Sequence, residues 1–216
     1  MTHDHDHDHH HDHHHEPAAA TVPPAALRAR AIEALLVEHG VITREAVVRG
    51  IDWLVSRTPT NGARIVARAW TDPAYKERLL ADAKAAASEV GVDAALSPVV
   101  VALENTAELH HLVVCTLCSC YPRALLGPPP AWYKSNEYRS RAVSEPRAVM
   151  AEFGLRLPDE VEVRVVDSTA DIRYLVIPRR PAGTEGWSEE RLALLVTRDS
   201  LVGVVDPLPA DVAPAA

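Results

Sequence analysis

All three cysteines of the chain fall in the stretch "VVCTLCSC", as Cys115, Cys118 and Cys120. An odd number of thiols held that close cannot pair off as disulfides. Four chemistries fit the residue types. Free cysteines pack as small buried hydrophobes, which does not account for all three standing in one loop. A redox dithiol at "CTLC" needs two thiols at a helix start after a strand, and it leaves Cys120 without a task. A zinc knuckle puts C-x-x-C around a tetrahedral ion but draws on a second pair, which the chain lacks. His110 and His111 are the nearest substitutes, or else they pack beside a strand and bond locally. The fourth chemistry is a metal bound by a single loop. There Cys118 and Cys120 flank Ser119, so their thiolates and the backbone nitrogens between them circle one ion in a plane, with Cys115 below and a sixth position open. Soft thiolates select a transition metal over magnesium or calcium.

A second set of metal-binding side chains precedes the rest of the chain. Residues 1–16 hold nine of the twelve histidines (His3, His5, His7, His9, His10, His11, His13, His14 and His15), interspersed with Asp. With no apolar run to offset the entropy of ordering, this segment is expected to be a disordered tail. "PAAATVPP" then reads as a linker, so that residues 1–24 form tail and linker together.

The elements that must position the cysteines follow from composition and pattern. At 47% hydrophobic and 24% charged, the chain can bury an ordinary core. No apolar run approaches the ~18–20 residues needed to span a bilayer, so no membrane segment is expected. No secretory pattern opens the sequence, which predicts a cytoplasmic location with reduced thiols. Of the net charge of −8, Asp4, Asp6, Asp8, Asp12 and Glu16 supply five. The remainder offers no basic footprint for nucleic acid, and 5% aromatics offer no base-stacking surface.

Helical spacing of Leu27, Ala31, Ala34 and Leu35 predicts a helix over 25–39, stopped by Gly40. Thr43 is a good N-cap for a second helix that "RTPTNG" breaks. "TDPAYKERLLADAKAAASEVG" reads as one helix capped by Thr71 or Asp72, with Leu79, Leu80, Ala83 and Ala87 as its buried stripe. After Pro98, "VVVALEN" and "HHLVV" are β-branched runs that predict strands, as do "VEVRVVDS" and "RYLVIP". "YPRALLGPPP" reads as irregular because of its prolines and Gly127. "EPRAVMAEFG" and "SEERLALLVT" predict short helices, the latter capped by Ser188. The fold class expected is α+β, with a helical arm over 25–70 and a metal-binding domain over 71–216.

"VCTLCSC" is followed by "YP", "LLGPPPAWYK", "EYRSR", "EPR", "RPAGTEGWSEE" and "VTRDS". In this order they resemble the α subunit of nitrile hydratase and, closely, the γ subunit of thiocyanate hydrolase. The likeness runs from about Ala69 to Gly203, and the helical arm also fits. It implies a layered α/β/β/α-type catalytic domain. It also implies a non-corrin Co(III), with Fe(III) the lesser alternative, held by Cys115, Cys118 and Cys120 and by the deprotonated backbone amides of Ser119 and Cys120. In the family the residue matching Cys118 is a sulfinate and that matching Cys120 a sulfenate. Thr116 in "CTLC" matches the cobalt-type pattern. A nitrile at the open position is polarised and attacked by the Cys120 sulfenate oxygen or by a water beside it, giving an imidate that tautomerises to the amide. The oxidised sulfurs require cationic partners. The family supplies them from β-type chains, one or split in two, and loads metal with an activator protein.

The sequence departs from the family at Arg123, where cobalt-type nitrile hydratases read "CSCYPW". A guanidinium for an indole makes the pocket less apolar and favours an anion such as thiocyanate, unless Arg123 turns outward. The tail also lies outside the family core. Neutral imidazoles beside carboxylates suit borderline divalent metals, so it is expected to capture divalent cobalt before insertion. Trp132, Tyr133 and Trp187 are expected as core or interface anchors. Arg139 and Arg141 either approach the claw or pair at the surface, and Asp167 and Ser168 end a strand. The contrasting non-enzyme reading is a protein that stores or delivers zinc or cobalt without turnover.

Overall fold

The protein is described by a computed structural model covering residues 23–212. The histidines of the tail, His3 to His15, lie outside the described residues. Two compact units divide between Arg49 and Gly50. In the first, α1 (Pro24–Glu38) starts on Pro24, where the missing N–H costs no helical bond, and buries none of its residues. α2 (Arg44–Val55) runs across the unit boundary, and Thr43 Oγ1 accepts from the Ala46 amide at 3.1 Å, as its N-cap position predicts.

The second unit contains a helix that the sequence did not predict. α3 (Pro59–Thr71) starts inside "RTPTNG" because Pro59 sits in the first turn behind an extended Thr58, where proline starts a helix rather than breaking one. Gly62, Ala63, Ile65, Val66, Ala67 and Ala69 form its buried face, so this part of the stretch expected as an arm is core. The single helix predicted next is two, α4 (Pro73–Ala81) and α5 (Ala83–Glu89). Asp82 divides them, its carboxylate accepting the Lys84 and Ala85 amides at 3.1 and 3.0 Å and so capping a fresh helix. Asp72, not Thr71, caps α4 through the Tyr75 amide. Leu79, Ala83 and Ala87 are buried as expected, but Leu80 is 39% exposed.

The four predicted strands form as β1 (Val99–Glu104), β2 (Leu109–Val114), β3 (Glu162–Asp167) and β4 (Ile172–Ile177). They pair in parallel as β1 with β4 and β2 with β3. Between β2 and β3 lie α6 (Arg123–Leu126), α7 (Ala131–Lys134), α8 (Asn136–Ser144) and α9 (Pro146–Glu152), and α10 (Glu189–Ala193) follows β4. "YPRALLGPPP" therefore holds one helical turn. Its prolines flank "RALL" rather than interrupt it, and Gly127 ends the turn at φ +69, with the Arg57 carbonyl 2.5 Å from where a Cβ would stand. Ser188 caps α10 through the Arg191 amide, but the helix stops at Ala193, short of the predicted "LLVT".

α3, α4 and α5 pack on the β1–β4 side, α8 and α9 on β2 and β3, and the two strand pairs touch through β2. The outcome is the mixed α+β layering expected. Leu112, Leu125, Met150, Leu175 and Ile177 fill the core. Gly203 seats the chain directly on β2. Its φ is +87, and a Cβ there would stand 1.9 Å from the His111 carbonyl oxygen, so only glycine fits. No helix among the described residues is long and apolar enough to cross a membrane.

Candidate metal centre

The cysteine loop leaves the C-terminal end of β2, the end of a parallel strand where α/β proteins place their sites. Leu112, Val113 and Val114 are almost fully buried and fix the strand, and Cys115 follows at 1% exposure. The chain then emerges: Leu117 is 86% exposed, Cys118 is exposed and Ser119 and Cys120 are half-buried. Pro122 and α6 return it to the core.

This course gathers the sulfurs. Cys115 Sγ lies 3.5 Å from Cys118 Sγ, which lies 3.2 Å from Cys120 Sγ. All three sulfurs lie within 4.8 Å of one another. The Cys118 amide donates to Cys115 Sγ at 3.3 Å. Hydrogen bonds from the thiols of Cys120 and Cys115, and then from the Ser119 amide, pull the Cys118 thiol down to about 7. Burial, followed by the Cys118 contact, pushes the Cys120 thiol up to about 12. Cys118, the exposed member, is therefore the thiol of the cluster that ionises first to the thiolate, the form that binds metal.

Side chains distant in sequence clamp the loop. Asp167 stands opposite Val114 in the β2–β3 register and accepts the Thr116 amide at 3.0 Å and its hydroxyl at 2.6 Å. Its expected role as a strand end is thus incomplete. Ser168 keeps that role, donating its amide to the Val114 carbonyl at 2.7 Å. Tyr133 is an anchor, as expected, and also donates its hydroxyl to the Cys120 carbonyl at 2.9 Å. Burial raises its pKa, so it remains a protonated donor. Of the two arginines in "YRSR", Arg139 reaches the loop, donating to the Cys118 carbonyl at 2.9 Å, while Arg141 pairs with Glu152 and Glu145. Trp132 meets Tyr133, Tyr138 and Phe153 edge-on, and Trp187 lies under the Arg191 guanidinium.

Arg123 opens α6 exposed and lines a cleft of about 410 Å³ with Cys118, Ser119, Cys120, Trp53 and Arg173. Arg57 and Arg173, the latter on β4, are further arginines there that the sequence pattern did not single out. His110 and His111 take no part in the sulfur cluster. Their rings bond Asn105 and the Gly203 carbonyl, and burial lowers both pKa values, holding them neutral. Asp167 reaches the loop through the parallel β2–β3 register, which no local sequence pattern shows.

The profile of the family described as "Nitrile hydratase, alpha chain" matches residues 24–205. The high-molecular weight cobalt-containing nitrile hydratase subunit alpha of Rhodococcus rhodochrous is 53% identical over 84% of this chain and 90% of its own length. The thiocyanate hydrolase subunit gamma of Thiobacillus thioparus is 45% identical over 83% of this chain and 78% of its own. Among solved structures, a recombinant thiocyanate hydrolase with partially modified cobalt centres superposes with a TM-score of 0.80 at 43% identity, covering 88% of this chain and 93% of that one. A double mutant of the Fe-type nitrile hydratase from Comamonas testosteroni Ni1 superposes with a TM-score of 0.78 at 43% identity, over 90% and 96%. With the sulfur loop, the layered fold and these relatives in agreement, the chain belongs to the nitrile hydratase alpha chain family.

Proposed function

We propose that this chain is the metal-bearing subunit of a cobalt nitrile hydratase, which adds water to a nitrile to give the amide. The observation that carries the reading is the sulfur cluster. For metal–sulfur bonds of about 2.3 Å, sulfurs at right angles on one ion stand about 3.3 Å apart and tetrahedral ones about 3.8 Å. The separations of 3.2 and 3.5 Å lie in the range that sulfurs sharing one ion span, so a single metal could be held by all three. Cys115, Cys118 and Cys120 would hold it through sulfur, and Ser119 and Cys120 through their backbone nitrogens. Cobalt, rather than the iron of the Comamonas relative, is supported by Thr116 and by the cobalt-containing relatives. Bound as Co(III), with Cys118 a sulfinate and Cys120 a sulfenate, it supplies a Lewis-acid position that polarises the nitrile carbon.

The chain's own residues do the rest. Cys120 lies on the cleft wall, so an oxygen carried on its sulfur faces the space a substrate fills. That oxygen either attacks the nitrile carbon or takes a proton from an attacking water. Asp167, Tyr133 and Arg139 fix the loop so that this placement persists. Leu117, Leu96 and Trp53 stand exposed around the site, and oxidised sulfurs need cations. A β-type partner, one chain or two, is therefore proposed to cover the cleft and supply those cations, after an activator protein loads the metal. The cytoplasm, where thiols remain reduced until loading, is the proposed location.

One observation favours a second substrate. Arg57, Arg123 and Arg173 put three arginines on the cleft, which suits thiocyanate, hydrolysed to carbonyl sulfide and ammonia, over an apolar nitrile. An arginine-to-tryptophan mutant of thiocyanate hydrolase is among the similar structures, with a TM-score of 0.80. Turnover of a nitrile and of thiocyanate by the assembled complex tests both readings. Hydration of the nitrile supports the first; thiocyanate turnover alone supports the second; neither, in a cobalt-loaded complex, rejects both. Arg123→Trp is expected to move the thiocyanate-to-nitrile ratio toward nitrile by at least about tenfold, one lost charge contact. An unchanged ratio rejects Arg123 as a specificity residue.

The His/Asp tail is proposed to capture divalent cobalt ahead of insertion and to be dispensable once the loop is loaded. Deleting residues 2–15 should lower cobalt occupancy when cobalt is limiting and leave it unchanged when cobalt is in excess. Equal occupancy at limiting cobalt rejects the role.

A further inference from the structure

Arg139 touches one particular peptide bond of the loop. α8 is capped by Ser135, whose hydroxyl accepts the Tyr138 amide at 3.1 Å. The buried Tyr138 then anchors the helix to β2, donating its hydroxyl to the Val113 carbonyl at 2.5 Å. The next residue, Arg139, extends one nitrogen to the Cys118 carbonyl at 2.9 Å and the other to Asn136 Oδ1 at 3.0 Å. Tyr138 and Arg139 therefore grip the chain just before and within the loop. The Cys118 carbonyl belongs to the same peptide group as the Ser119 nitrogen, and a charge on that nitrogen is shared with that oxygen.

We propose that Arg139 is a positioning residue for metal binding: it orients the Cys118–Ser119 peptide and offsets the negative charge this peptide carries once its nitrogen is a ligand. The inference rests on the metal-centre reading above. When the ion binds, the Ser119 N–H proton leaves to solvent and the nitrogen takes its place in the coordination shell. The peptide becomes an anion, its charge spread over the Ser119 nitrogen and the Cys118 oxygen. A guanidinium already bonded to that oxygen meets the charge at hydrogen-bond distance, the stronger charge-assisted form of the contact. The Arg139 Nε is buried with no acceptor among the described residues. Tyr133 holds the Cys120 carbonyl in a similar way but is neutral, and its peptide contributes the Tyr121 nitrogen, which is not a proposed ligand.

The test is cobalt retention by the assembled complex, with cobalt per chain measured against free cobalt and against time in a chelator, and nitrogen and sulfur ligands counted by X-ray absorption. Arg139→Gln should need about tenfold more cobalt for half-occupancy, the lower end of the effect of removing a partner that supports a metal ligand. It should also show fewer nitrogen ligands. Arg139→Lys should recover part of the loss through its charge. Arg141→Gln, which loses only surface pairs, should match wild type. Asn136→Ala, which frees the guanidinium without removing it, should fall between, and it decides the matter if Arg139→Gln does not fold. Unchanged retention in folded Arg139→Gln, unchanged retention in Asn136→Ala where Arg139→Gln is unfolded, or an equal loss in Arg141→Gln overturns the inference alone. Wild type holding zinc or no metal overturns the metal-centre reading and this inference with it.

Discussion

Replacing Cys115 with serine in the assembled enzyme is expected to lower turnover by about 1,000-fold, with cobalt per chain falling in step. Cys115 is the buried member of the cluster, 1% exposed and fixed by the fully buried end of β2, so no neighbouring donor can move in to replace it. Serine nearly preserves shape but exchanges a soft sulfur for a hard, weakly acidic oxygen. A bound Lewis acid contributes several kcal/mol to such a reaction; about 4 kcal/mol corresponds to about 1,000-fold. The buried hydroxyl should cost the fold about 1–3 kcal/mol, so thermal unfolding should shift far less than turnover falls. Steady-state kinetics and metal analysis on the same sample check this. A serine variant that keeps both cobalt and turnover would show that Cys115 is not a ligand.

Asp167→Ala is expected to weaken cobalt retention by about 100-fold, the upper end of the effect for residues that support metal ligands. The variant loses two hydrogen bonds at once, from the Thr116 amide at 3.0 Å and its hydroxyl at 2.6 Å. Both act on the residue between Cys115 and the exposed tip of the loop, where Leu117 makes little contact of its own. With them gone, Cys118 and Cys120 sample geometries that no longer converge with Cys115. Asp167→Asn, which keeps an acceptor, should lose less, and Thr116→Val, which keeps the amide bond to Asp167, should fall between. Retention is read by chelator challenge on the whole complex. If Asp167→Ala releases cobalt no faster than wild type, the loop is held by its ligands alone.

What the sequence reveals and what it hides divide along local and distant contacts. The three cysteines lie within six positions, so their convergence needs one loop and no knowledge of the fold. The β-branched runs declare their strands for the same reason. The clamp does not show itself, because Asp167 meets Thr116 across 51 positions through the parallel register of β2 with β3. Arg139 meets Cys118 across 21 positions, in a motif whose second arginine, Arg141, only pairs at the surface. Proline carries two opposite meanings, and at Pro59 and Pro122 the helix-starting one prevails because each stands just at or before a first turn, where no amide is needed. Asp82 looks like one more polar residue on a long helix, yet its carboxylate competes for the next amides and restarts the chain as α5.

One loop of this chain is proposed to hold cobalt through three cysteines, two of them oxidised. Metal analysis of the purified complex, with mass measurement of the peptide containing Cys115, Cys118 and Cys120, tests it directly. The expected result is about one cobalt per chain and a peptide heavier by three oxygens, two on Cys118 and one on Cys120. Zinc with three unmodified thiols would contradict the claim and leave a metal-handling protein in its place.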